Sequence, residues 1–257
     1  MAAARDPAPA PQQGLAGILG EAARTLRPGR GDPHGPLAPM MVALTCVTGV
    51  VDAVSYLKLG HVFVANMTGN VVFLGFALAG AGGVSTAASL TAIGSFLFGA
   101  IAGGRLGARS AEHRGHVLRG ANVAQALLMA IALGVALTAR EPLTSGARYA
   151  LLVPLALAMG VQNAAALRLA IPELTTTVLT RTLTGIASES RIAGGRGSQL
   201  GRRSVAVAAM LVGALTGALL ALHVSIAAAL AVALAAVVCV GFAVSALSRP
   251  GAAWVRA

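Results

Sequence analysis

The sequence predicts an all-α polytopic membrane bundle of about six spanning helices with two short re-entrant or broken segments. Three observations lead there. Mean hydropathy is +0.80, with 56% apolar and only 11% charged residues, against about 25% charged in soluble domains. Apolar runs of roughly 20 residues, enough to cross a hydrocarbon core of about 30 Å, recur after residue 37. The basic residues sit in short clusters between those runs.

Residues 1–36 are rich in Pro, Gly and Arg and read as a disordered cytoplasmic tail. Within it Leu15, Ile18, Leu19, Ala22 and Leu26 fall at helical spacing beside Arg24 and Arg27. That spacing fits a short amphipathic helix on an anionic lipid surface, and equally an unstructured tail with a chance stripe. No secretory signal is expected, because the positive charges do not lead into a short apolar core with a cleavage site. Candidate spans are residues 37–57, 86–104, 120–139, 149–167, 204–222 and 225–247, a single transmembrane domain with halves at about 37–139 and 149–247. A short cytoplasmic tail, 248–257, follows. Aromatic residues are scarce, and Tyr56, Tyr149 and Trp254 are the candidates for membrane-edge anchors.

Two segments resist placement. Residues 64–79 open with Asn66, Thr68 and Asn70, and residues 174–187 carry six threonines and Arg181. If both crossed, giving eight spans, the loop with Arg105, Arg109, Arg114 and Arg119 would lie opposite the basic N-terminal tail. If both dip in and return, 14 of the 19 cations fall inside, Lys58, Arg140 and Arg148 fall outside, and Arg168 and Arg181 stay ambiguous. The excess of cations on cytoplasmic loops favours the second scheme, in a bacterial inner membrane with both termini cytoplasmic. Irregular backbone at membrane depth survives only where protein or a watery cavity satisfies it, so such segments usually line something.

The chain also resembles itself. Gly49, Val50, Val51, Asp52 and Ala53 are echoed by Gly160, Val161, Gln162, Asn163 and Ala164 at an offset of 111 residues. Thr68 and Asn70 match Thr180 and Thr182 at 112, and Gly99 and Gly103 match Gly213 and Gly217 at 114. Three true crossings per copy would make this an inverted repeat, a design that commonly binds solute near the repeat interface. Compositional bias toward Ala, Gly and Thr is the competing explanation.

Asp52 is the one acid placed within a span, with Thr45, Thr48, Gly49 and Ser55 near its helical face. A charged Asp at bilayer depth costs about 2.5–3.5 kcal/mol, so it should face protein or water. It could relay a proton or cation, contact a ligand, or serve as a buried cap or an ion-pair partner of Arg181 or Lys58. Asn66, Thr68 and Asn70 in the first segment, and Thr175, Thr176, Thr177, Thr180, Thr182 and Thr184 in the second, could replace a solute's hydration shell. They could equally be packing glue between helices. Arg181 could hold an anionic solute or snorkel to the interface. Gly99, Gly103 and Gly107, with Gly213 and Gly217, give small faces for close helix approach. His61 and His223 are expected in outer loops. Cys46 and Cys239 lie in spans with no CxxC or His-rich spacing, so no cofactor or metal is expected.

The stretch TGVVDAVSYLKLGHVFVANMTGNVVFLG from Thr48 to Gly75, with GVQNAA at 160–165 and PELTTTVLTRTLTG at 172–185, resembles the YoaK-type family of uncharacterised multispanning bacterial membrane proteins. The likeness covers roughly residues 40–247. It implies a multispanning protein of about this length and brings no substrate or catalytic residue. Asp52, His61, Asn66, Thr68, Gly69, Asn70, Gln162, Asn163 and Thr175 to Thr177 match its motifs. Arg181 stands where the family would carry a small or apolar residue.

The expectation is a transporter or channel for a small solute or ion. The pathway residues are Asp52, Thr48, Asn66, Thr68, Asn70, Gln162, Asn163, Thr176, Thr177, Thr180 and Arg181. The alternative is a non-transporting scaffold or regulatory subunit whose polar segments dock a partner. No nucleophile with its base, HExxH or paired acids suggests an enzyme. The formal charge of +11 does not indicate nucleic acid, because the arginines flank spans with no aromatic platform among them. The lipid bilayer is the expected environment, and self-association into a homo-oligomer stays open.

Overall fold

A computed structural model describes residues 14–29, 32, 34–109, 113–171, 179–190, 193–194, 199–248 and 253–255. Its regular elements there are all helical. Six helices are long and apolar enough to span: α2 (Leu37–Lys58), α4 (Thr86–Ala108), α5 (Arg114–Thr138), α6 (Ser145–Leu169), α8 (Leu200–His223) and α9 (Ile226–Leu247). Shorter are α1 (Leu15–Leu26), α3 (Met67–Leu78) and α7 (Leu179–Ser188). The long helices overrun the apolar runs most where arginines flank them, as at Arg114 and Arg202.

Caps set the starts. Ser85, Thr144 and Ser225 side chains accept from Ala88, Ala147 and Ala228 N–H at 3.2, 3.2 and 3.0 Å. These bonds satisfy amides that a helix start leaves unpaired. At two C-termini, arginines meet orphan carbonyls: Arg168 Nη1 donates to Gly107 O at 3.3 Å and Arg114 Nη2 to Leu169 O at 2.7 Å.

Glycines set the helix contacts. A Cβ at Gly49 of α2 would meet Met210 O at 2.5 Å and Ala214 N at 2.6 Å, both on α8, while Gly213 and Gly217 of α8 press on Cys46 and Val50. On α6, Gly160 faces Phe96 O and Ala100 N, and Gly99 and Gly103 of α4 press on Leu157 and Val161. Backbones approach this closely only where no side chain intervenes. The second set of contacts is the first displaced, by 111 residues on one helix and 114 on the other. Residue numbers rise together in both pairs, so α2 runs parallel to α8 and α4 parallel to α6.

The remaining directions follow. Arg114 meets Leu169 and Gln125 meets Gln162, so α5 is antiparallel to α6. Gly115 lies against Ser248 and Gly241 near Asn122, so α5 is antiparallel to α9. A tight turn at Val224 and Ser225 makes α8 and α9 antiparallel. Hence α2, α5 and α8 start at one end of the bundle, and α4, α6 and α9 start at the other. Residues 59–85 leave and re-enter at a single end, and α6 finishes at the end where α8 begins. This is the six-crossing scheme. Helix α3 is about 18 Å long and α7 about 15 Å, too short to cross.

The end carrying α1 also carries Arg24, Arg27, Arg105, Arg109, Arg114, Arg168, Arg202 and Arg203. At the opposite end are Arg140, Arg148 and an ion pair of 2.9 Å between Lys58 and Glu141. His61 and His223 lie at that end too. The two central helices are α2 and α6, with 78% and 72% of their apolar windows buried, against 28–33% for the other four. Those four turn exposed leucines, valines and phenylalanines outward, which suits contact with lipid.

One feature matches the helical alternative for residues 15–26, and one departs from expectation. The N-terminal region contains a helix, α1, docked on the first turn of α8, where a Cβ at Gly201 would meet Ala22 N at 2.8 Å. Trp254 is not a membrane-edge anchor: it is 7% exposed and packs on Gly35. Both depend on contacts between segments far apart in sequence.

Candidate functional site

Beyond Lys58 the chain turns through Gly60 (φ 104°) and His61 (φ 56°) and folds back along α2. The Asp52 carboxylate receives it. Asp52 is 4% exposed, and its Oδ1 accepts from Val64 N–H at 3.0 Å and Ala65 N–H at 2.8 Å. A carboxylate there satisfies amides that would otherwise lie buried and unpaired, each at a cost of about 1–3 kcal/mol. Asn70 completes the fold-back: its Oδ1 accepts from Phe63 N–H at 2.8 Å and its Nδ2 donates to Phe63 O at 2.6 Å. Phe63 then stacks with both Tyr56 and Phe73, ring centroids 5.1 and 5.8 Å away, in one cluster of three rings. Gly69 must be glycine here, since a Cβ would sit 2.8 Å from the Phe63 ring.

Tyr56 lies one turn beyond Asp52 toward Lys58 and meets Phe73, so α3 starts deep and runs back toward the end it came from. Its tip, capped by Asn66 through a 3.4 Å bond from Gly69 N–H, carries exposed Asn66 and Thr68. A cleft lies on each side of that tip. One of about 810 Å³ is bounded by Asn66 and Thr68, by Phe96 and Gly104 of α4, and by Asn163 and Arg168 of α6. The other, of about 590 Å³, is bounded by the same Asn66 and Thr68, by Thr48 and Asp52 of α2, by Thr180 of α7 and by Met210 of α8.

Beside the clefts a buried polar chain ties three helices. Gln125 Nε2 donates to Gln162 Oε1 at 2.6 Å, Gln162 Nε2 donates to Thr48 Oγ1 at 2.9 Å, and Thr48 Oγ1 donates to Leu44 O at 2.9 Å. Buried polar groups hold position only when paired, and these four are.

The expected pathway residues therefore divide. Asp52, Thr48, Asn66, Thr68, Asn163 and Thr180 border a cleft. Asn70 and Gln162 are turned into the protein, at 0% and 2% exposure, and hold backbone and helices together instead. Arg181 is exposed and borders neither cleft. Lys58 is engaged by Glu141, and Asp52 is held by backbone N–H groups rather than by either cation. Thr176 and Thr177 lie outside the described residues. Three contributors escaped notice. Gln125 is one of two amides, with Asn122, in an apolar run, a signal that was available. Phe96 and Met210 are apolar and separable from neighbours only through their shared offset of 114 residues.

The family described as "Protein of unknown function (DUF1275)" matches residues 40–243, and the chain belongs to it. The chain is 35% identical over 153 residues to the Bacillus subtilis (strain 168) protein described as "UPF0700 transmembrane protein YoaK". That match covers 58% of this chain and 65% of the relative, just under two thirds of the relative's length. No solved structure matches. With six helices of crossing length and a transmembrane relative, the chain is a multi-pass membrane protein.

Proposed function

We propose that this protein moves a small solute across the membrane, through the two clefts that meet at the α3 tip. One observation carries the reading: Asn66 and Thr68 border both clefts, so a solute leaving one is already in contact with the wall of the other. A re-entrant tip that only docked a partner would have no need of polar groups facing two cavities. Hydroxyls and amides there can stand in for part of a hydration shell. The proposal includes an inverted repeat of residues 37–139 and 149–247. It is supported by the displaced glycine contacts and by the opposite directions of α2 and α6. Repeats of this kind place their solute sites where broken helices meet.

The test is an uptake screen comparing a deletion strain with its parent, followed by the purified protein in liposomes. A solute that accumulates only when the protein is present supports transport. Co-purification with a stoichiometric partner, with no solute moved in liposomes, would replace it with the scaffold reading.

The arginine-rich end is proposed to be cytoplasmic, in a bacterial inner membrane, with both termini on that side. In a background lacking Cys46 and Cys239, single cysteines at Arg109 should resist a membrane-impermeant thiol reagent in whole cells, and those at Arg140 should react. The reverse pattern would invert the orientation.

A further inference from the structure

We propose that α1 is a surface anchor whose partner is an anionic phospholipid leaflet, with Leu15, Leu19 and Leu26 at the acyl boundary and Arg24, Arg27 and Arg202 at the phosphate level. The helix has three faces. Ile18 and Ala22 lie over Gly201 of α8, Thr25 is buried at 2% exposure, and Glu21 Oε2 accepts from Gly201 N–H at 3.0 Å. The second face carries Leu15, Leu19 and Leu26, at 75, 61 and 48% exposure. The third carries exposed Arg24, and exposed Arg27 follows at the helix end.

Because α1 is clamped across the first turn of α8, it cannot roll its leucines into the protein. That turn is where α8 reaches the boundary of the hydrocarbon, so the leucine face meets the headgroup and acyl region. An amphipathic helix with leucines on one face and arginines on the other lies in that plane.

Charge selects the kind of lipid. Arg202 and Arg203 stand in the first turn of α8, where the helix already presents positive partial charge. Arg203 pairs with Glu189 at 2.9 Å. Among the described residues, the buried Arg202 Nε has no acceptor. Burial, followed by the charges of Arg114 and Arg202, holds the neighbouring His34 below the usual histidine range, against an opposing effect of Asp32. Free phosphate would satisfy the arginines and leave three leucines in water. An anionic leaflet satisfies both.

The test uses the full chain without Cys46 and Cys239, with a polarity-sensitive fluorophore on Leu19→Cys. It is reconstituted in vesicles of phosphatidylcholine alone or with phosphatidylglycerol. Quenching by acyl-chain quenchers should be stronger with phosphatidylglycerol and weaken at high salt. Arg24→Glu and Arg27→Glu should each lower the preference by about fivefold or more. The lipid comparison on the unreversed chain stands even if those variants misfold. Equal quenching in both vesicles would overturn the anionic partner, and no quenching in either would overturn the lipid contact. Restoration in phosphatidylcholine by inorganic phosphate would make the partner a soluble anion and sink the proposal.

Discussion

Gly99→Ala is expected to lower the thermal midpoint in detergent and the membrane abundance of the protein, whereas Gly94→Ala on the same helix leaves both unchanged or slightly raised. At Gly99 the added Cβ would collide with Leu157 O, a backbone atom that moves only if α4 and α6 separate. Overpacking of this kind costs about 1–3 kcal/mol, with more for a larger side chain. At Gly94 nothing lies within 4 Å, so alanine's better helix propensity, worth up to about 1 kcal/mol, is all that remains. The displaced contacts sharpen the prediction: Gly213→Ala should match Gly99→Ala, since its Cβ would meet Cys46 O in the same way. Similar losses at Gly99 and Gly213 with none at Gly94 support the paired helix contacts. A neutral Gly99→Ala would contradict them.

Asp52→Leu should be the most damaging single change at the site. It strands the N–H groups of Val64 and Ala65, which are 0% and 2% exposed, at about 1–3 kcal/mol each. The fold-back before α3 would lose its anchor, and thermal stability should fall accordingly. Asp52→Asn keeps an oxygen able to accept from both amides while removing the charge. It should fold with a much smaller loss. Once a solute is known, normal abundance of Asp52→Asn with lost uptake would assign the charge to transport. Normal uptake across pH would leave Asp52 as the anchor of the α3 tip alone.

Much of this architecture could be read from the residues, because membrane crossing imposes a length and a hydropathy that few other folds satisfy. The return of residues 64–79 to the side they left was legible in the arginines at 105–119. The pairing of α2 with α8, rather than with its neighbour α4, was not, although the offsets of 111 and 114 residues bear its trace. At the site, the sequence marked Asn66, Thr68 and Asn70 alike. Only geometry separates an amide that faces a cavity from one that holds the Phe63 backbone, since both are polar residues in an apolar run. Gln162 and Asn163 are adjacent and divide the same way, one bonded to Gln125 and Thr48, the other bordering a cleft. The docking of α1 depends on a meeting of Ile18 and Ala22 with Gly201 that no local pattern announces.

The central claim is that the α3 tip stands between two solute-accessible clefts rather than in lipid or packed protein. Thr68→Cys, on a background lacking Cys46 and Cys239, tests it most directly and needs no identified solute. In right-side-out and inverted vesicles, a small charged thiol reagent should label this cysteine from at least one side. Asn70→Cys, if it folds, should stay unlabelled because that position is 0% exposed. Thr68→Cys that reacts only with lipid-soluble maleimides, and with no charged reagent from either side, would place the tip in the bilayer and contradict the account.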